Sequence, residues 1–139
     1  MISVRQLIDK FNTIEKTIEN QKDDVLNEEA DKALENIQAR HGVYPSDASW
    51  ARLKPQTVRY KKRGDTPLLE TGELRDSYEK VKKSATRILV GSRLDKASFM
   101  EYGVASKNIP ARPVVEPEAA QADDYVKEAF EDFIKDIVR

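Results

Sequence analysis

Apolar residues recur at helical spacing from the first positions of the chain. Val4, Leu7, Ile8, Phe11, Ile14 and Ile18 fall on one stripe, with Arg5, Asp9, Lys10, Asn12 and Lys16 on the opposite face. That period marks an amphipathic helix over residues 3 to about 20. Ser3 and Gln6 have the form of a capping box, in which each side chain satisfies the other residue's backbone N–H. Asn20-Gln21-Lys22 weakens the pattern, and a second stripe follows at Leu26, Ala30, Ala33, Leu34 and Ile37. Asp23 and Asp24 suit the start of a helix, and Arg40 and His41 its end, where the macrodipole favours them; Gly42 is a stop. The pattern leaves open whether residues 1–41 form two helices or one long one. It predicts packing of this region on the domain's own sheet, with a free arm reaching toward a neighbouring subunit as the alternative.

The periodicity changes after Gly42. Residues 42–50 read as a loop punctuated by Gly42, Pro45 and Ser46 and ending in Trp50, a hydrophobic anchor. Pro55 fits the first position of a short helix reaching about Lys62, closed by a turn at Gly64-Asp65. In the stretch Pro67 to Ser77, Pro67 fixes the backbone, Leu68-Leu69 is an adjacent apolar pair, and Thr71-Gly72 reads as a turn or cap. This is the pattern of a buried elbow leading into a strand. Ser77 to Lys83 and Thr86 to Gly91 then read as a hairpin turning at Ser84-Ala85. Ile88 and Val90 share a face, whereas Tyr78 and Val81 point to opposite ones.

Asp95 is a candidate cap for a helical turn carrying Phe99 and Tyr102, ended by Gly103. Residues 104–113 form a loop in which Pro110 and Pro113 exclude helix and central strand and hold Arg112 at a set angle. Pro117 to Val138 is the longest regular stripe of the second half, with Val126, Ala129, Phe130, Phe133, Ile134 and Ile137 in register. Glu116 and Glu118 flank its start and Arg139 its end.

A length of 139 residues fits a single domain: a helical region 1–41, a loop and sheet region 50–116, and a C-terminal helix 117–139. With 24 basic and 25 acidic residues, total charge gives no argument for nucleic acid or an anionic membrane. The absence of cysteine excludes disulfides and thiolate chemistry. His41 is the single histidine, the five glycines are scattered singly, and no carboxylates fall at calcium-loop spacing. No catalytic residue, cofactor or metal site is therefore expected. No apolar run reaches the roughly 18 residues of a membrane span and no signal-peptide core is visible, so the expected compartment is a cytosol. One local charge bias stands out. Arg52, Lys54, Arg59, Lys61, Lys62 and Arg63 occur with no acid between Asp47 and Asp65. This reads as a solvated face or a surface for an acidic partner, with DNA contact as the alternative.

Three pieces of the chain resemble a known family in their order and spacing. They are Trp50-Ala51-Arg52-Leu53-Lys54-Pro55-Gln56-Thr57 with the basic residues after it; Pro67-Leu68-Leu69-Glu70-Thr71-Gly72-Glu73-Leu74-Arg75-Asp76-Ser77; and Val90-Gly91-Ser92 with Phe99-Met100-Glu101-Tyr102-Gly103 and Ile109-Pro110-Ala111-Arg112-Pro113. Together they resemble the virion morphogenesis, or tail-completion, proteins of tailed bacteriophages over residues 50–117, while the terminal helices fit in kind only. The chain departs from the family pattern in having Lys54 where a capping serine is common, Glu70 for aspartate, and Val114 for an aromatic residue.

The resemblance implies an α+β fold, with a small antiparallel β-sheet packed against N-terminal and C-terminal amphipathic helices. It implies a structural protein, not an enzyme, that assembles as a hexameric ring at the neck or head-proximal tail end, with other neck, connector or tail proteins as partners. It also implies a virion location after assembly in the bacterial host cytoplasm. Candidate subunit-interface residues are Arg59, Lys61, Lys62, Arg63, Arg75, Tyr102 and Arg112. The basic segment 52–63 is expected to meet the acidic surface of the last helix of a neighbour, at Glu118, Asp123, Asp124, Glu128 and Glu131. Arg75 and Arg112 are expected to make forked contacts, either to a neighbour's carboxylate or internally to Glu70 or Glu101. Residues 104–109 are expected to order at an interface. The competing readings are a DNA-binding module built on 52–63 and an assembly chaperone absent from the virion.

Overall fold

Ser3 and Gln6 do form the capping box. Ser3 Oγ accepts from the Gln6 N–H at 3.2 Å and Gln6 Oε1 from the Ser3 N–H at 2.8 Å. The computed structural model, which describes residues 1–138, continues from that cap into one helix, α1, spanning Val4–Ala39. The dipole role expected of Arg139 lies outside the described residues. At 36 residues α1 is about 54 Å long. The weak stretch at Asn20–Lys22 does not break it, so Asp23 and Asp24 sit in mid-helix and have no N-terminal dipole role. Asp23 is instead paired with Lys82 at 3.3 Å. At the other end Arg40 makes a two-pronged contact to Asp47, at 2.9 and 2.7 Å, and His41 is buried.

The elements that follow are α2 (Pro55–Tyr60), α3 (Glu73–Asp76), β1 (Tyr78–Ser84), β2 (Arg87–Ser92), α4 (Asp95–Tyr102) and α5 (Val115–Val138). The fold is α+β as expected. β1 and β2 form a two-stranded antiparallel sheet against which α1 packs, and α5 packs along α1. The motif after Gly72 does not enter a strand directly. It makes the single turn α3 first, with Gly72 at a left-handed φ of 92° and Thr71 Oγ1 accepting from the Glu73 N–H at 3.2 Å. α4 begins at Asp95 without a side-chain cap, so Asp95 is not the capping residue.

Cross-strand pairing sets the sheet faces. Tyr78 lies opposite Ser92, Lys80 opposite Val90, and Lys82 opposite Ile88. These residues share the face turned to the helices; Val81 takes the other face, so the two side chains diverge as their spacing requires. The lysines reach across to α1. Lys80 Nζ lies 2.8 Å from Asn27 Oδ1 and 2.5 Å from Asp31 Oδ1. Pairs this exposed contribute at most about 1 kcal/mol each, so burial does most of the anchoring. The core is Ile37, Trp50, Leu74, Tyr78, Ala97 and Val114, gathered where the C-terminal end of α1 meets α3, the hairpin base and the start of α5.

α5 starts at Val115, two residues ahead of the position its sequence predicts. Its cap comes from another element. The Glu101 carboxylate accepts from the N–H groups of Val114 (2.9 Å), Val115 (3.2 Å) and Glu116 (2.9 Å). Glu118, expected on the acidic surface, is 3% exposed and accepts from Asn36 Nδ2 at 2.9 Å and the Tyr125 hydroxyl at 2.6 Å. Burial, helped by that carboxylate, pushes the Tyr125 hydroxyl up.

His41 gives the fold a titration of its own. Its Nδ1–H donates to the Ile37 carbonyl at 3.0 Å, and its Nε2 is buried without a partner. Burial lowers its pKa from the ordinary 6.5, against the opposing pull of the Ile37 and Gln38 carbonyls. The unfolded chain therefore binds this proton more readily, and stability falls as pH drops below about 6.5. Urea midpoints are expected to be lower at pH 5.5 than at 7.5, and His41→Leu should flatten that difference. The carboxyls of Asp47 and Asp76 are held low by Arg40 and Arg75, so they act in a more acidic window. An unchanged pH slope in the variant would assign the effect elsewhere.

Candidate functional site

The elbow at Pro67 is the floor of a groove. Pro67 is fully buried and its carbonyl accepts from the Gly42 N–H at 2.7 Å, tying the motif to the end of α1. The next residue, Leu68, has φ 61°, a left-handed backbone that a leucine adopts at a cost of order 1 kcal/mol. Neighbouring bonds hold it there: Thr66 Oγ1 donates to the Leu69 carbonyl at 2.9 Å, and Lys61 Nζ to the Thr66 carbonyl at 2.6 Å. The turn aims Leu68 and Leu69 into a hollow of about 850 Å³.

Three separated segments complete the walls. Leu53 and Thr57 come from the loop and helix around α2, Lys96 and Met100 from α4, and Asn108, Ile109 and Pro110 from the loop before α5. That loop is closed on itself by paired bonds between Val104 and Ile109, at 2.8 and 3.0 Å. Residues 104–109 therefore form a hydrogen-bonded turn of their own. The lining is apolar at Leu53, Leu68, Leu69, Met100 and Ile109, and cationic at Arg52, Lys54, Lys61, Lys96 and Arg112. Glu70 is the one carboxylate among the described lining residues.

Arg112 shows how that charge is held. It is 7% exposed; its backbone N–H donates to the Met100 carbonyl at 2.7 Å, and its Nε and Nη2 donate to the Ala51 carbonyl at 3.3 and 2.8 Å. It makes no ion pair with Glu70 or Glu101 among the described residues. Its fork clamps a carbonyl, which leaves its positive charge without a paired carboxylate at the groove wall. Burial lowers the pKa of Lys61, with Glu70 at 3.9 Å working against the shift.

The other expected interface residues are dispersed. Lys61 and Arg112 line the groove, while Arg59 and Lys62 are exposed beside it. Arg63 donates through Nε to the Glu70 carbonyl at 2.8 Å. Arg75 pairs with its neighbour Asp76 at 2.8 Å, away from Glu70 and Glu101. Tyr102 is 79% exposed and lines a second hollow with Tyr78 and Glu101. Sequence reasoning did not place Lys96, Met100 and Ile109 with the basic segment, because no local pattern joins residues so far apart in the chain. Among the described residues no cluster of His, Asp and Glu is disposed to hold a metal ion, and no helix is long and apolar enough to cross a membrane. An apolar floor with a cationic rim suits an amphipathic segment bearing carboxylates.

A family model described as "Bacteriophage HK97-gp10, putative tail-component" matches residues 5–103. The match takes in nearly all of α1, which the sequence resemblance fits only in kind, and stops before Ile109–Pro113. No curated protein and no solved structure matches the chain.

Proposed function

We propose that this chain, which belongs to the HK97-gp10-like family of bacteriophage tail components, completes the tail or joins it to the head as one subunit of a ring. A tail component is part of the virion and works by contact with other phage structural proteins. The finer role is carried by one observation, the pairing of unlike patches on a single chain. The groove is apolar and cationic, and α5 presents exposed carboxylates at Asp123, Asp124, Glu128 and Glu131. Unlike patches that meet head-to-tail generate rings when the rotation closes, and their opposite charges set register. The reading takes residues 1–139 as one folding unit, a hexamer as the closed ring, and the host cytoplasm as the site of assembly. It assigns no reaction to the chain.

The structure refines the variant that tests it. Lys61 and Arg63 hold the motif, so reversing them would damage the groove itself. Lys54 and Lys96 are exposed on the rim. Lys54→Glu with Lys96→Glu should weaken self-association about tenfold at moderate salt, read by sedimentation. Adding Asp123→Lys and Asp124→Lys should restore it. Unchanged assembly in the first variant would overturn the pairing. Salt-dependent retention of the wild-type chain on DNA would favour the nucleic-acid reading instead.

A further inference from the structure

α1 carries its apolar stripe past the end of its partner helix. Asn36 meets Glu118, and Lys32 Nζ lies 4.1 Å from the Tyr125 ring centroid, so α1 and α5 run antiparallel. Continuing that register brings Val138 level with about residue 17 of α1. Residues 4–15 therefore project as an arm roughly 18 Å long. On it Val4, Leu7, Ile8 and Phe11 are 75, 41, 53 and 62% exposed. Ile18, Ile134 and Val138 extend the patch to the α5 end. A contiguous run of bare apolar side chains of this kind marks an interaction site on a protein surface.

We infer that this arm packs side by side and in parallel against the arm of a second copy of the chain. The inference rests on the ring reading above and adds a contact to it. Val4, Leu7, Phe11, Ile14 and Ile18 alternate at three and four residues, the seam by which helices pair with helices. The same stripe continues through Ala30, Ala33 and Ile37, where it already faces another helix, α5.

The flanks of the arm carry opposite charge. Lys10 stands on one side with Gln6, Thr13 and Thr17, and Glu15 and Glu19 stand on the other. In parallel arms Lys10 of one copy faces Glu15 of the next, the five-residue offset of interhelical ion pairs in parallel coiled coils. The two flanks differ, so around a ring each arm offers its Lys10 flank to one neighbour and its Glu15 flank to the other, whereas in a two-fold pair both flanks would meet the same partner. The polar face mixes Asp9 with Lys16, unlike the lysine-rich face of a helix that lies on anionic lipid.

The chain has no cysteine, so Lys10→Cys with Glu15→Cys in the full chain is a clean reporter. The two positions lie about 140° apart around one helix, too far round for a bridge within one arm. Oxidation should give a ladder of covalent multimers above the dimer, and adding Phe11→Glu should reduce the cross-linked fraction about tenfold. Dimers alone would mean two-fold packing and overturn the inference. Monomers alone would overturn it too, and would give the arm to another phage protein. Native mass of the unaltered chain separates this from the ring reading. Rings without a ladder leave the ring and remove the arm contact; monomers at every concentration remove both.

Discussion

Glu101→Ala is expected to destabilise the protein by about 3 kcal/mol. One carboxylate serves three successive N–H groups, that of Val114 just before α5 and those of Val115 and Glu116 at its head. Helix starts leave such donors without intrahelical partners, and hydrogen bonds to a charged acceptor contribute about 1.5–3 kcal/mol where neutral ones contribute about half that. The helix dipole adds to the attraction. Val114, whose N–H is among the three, is 1% exposed, so water cannot fully replace the lost acceptor there. Glu101→Gln keeps one accepting oxygen and loses the charge, and should fall between alanine and wild type. Urea unfolding followed by circular dichroism reads both. A loss under about 0.5 kcal/mol for the alanine variant would mean that α5 is held by packing along α1 alone.

Gly103→Ala should cost about as much by a different route. Gly103 has φ 73° and ψ 170°, a region open essentially only to glycine. A methyl group there would lie 2.8 Å from both the Ala111 nitrogen and the Ile109 oxygen. Both are backbone atoms in the loop that walls the groove, so relief requires moving that loop. The expected loss is about 2–4 kcal/mol. Gly64→Ala is the control, since its φ of 69° is also left-handed but nothing lies within 4 Å of the added carbon. It should lose only the dihedral part, about 1 kcal/mol. Equal losses in the two variants would show that the close approach at Gly103 is relieved at no cost.

The parts of this fold that were legible in the sequence are those fixed by neighbours in the chain. Ser3 and Gln6 satisfy each other three residues apart, and the hairpin strands fall within a residue of their expected ends because side-chain alternation and the turn are local. What could not be read depends on distant partners. The start of α5 is set by Glu101, fourteen residues before Val115. The continuity of α1 through its polar middle is supported by Lys80 and Lys82, reaching across from the hairpin to Asp31 and Asp23. Glu118 sits at a helix start, where a carboxylate reads as a dipole partner in solvent; only the approach of Asn36 from α1 makes it an interior acceptor. The site divides the same way. The cations of 52–63 stand out as a run, while the prolines that hold Arg112 are visible and the Ala51 carbonyl it clamps is not.

α1 has neither glycine nor proline between Val4 and Ala39, so nothing in it invites a kink. It is a stiff rod gripped from Ile37 back to about residue 17, along the hairpin and α5, and free beyond. Such a rod is a lever. A tilt of about 10° where the grip ends sweeps the tip through roughly 3 Å over the free length of about 18 Å. Small adjustments where α1 meets α5 and the hairpin are thus magnified at the tip, and a load on the tip is returned as torque on that packing.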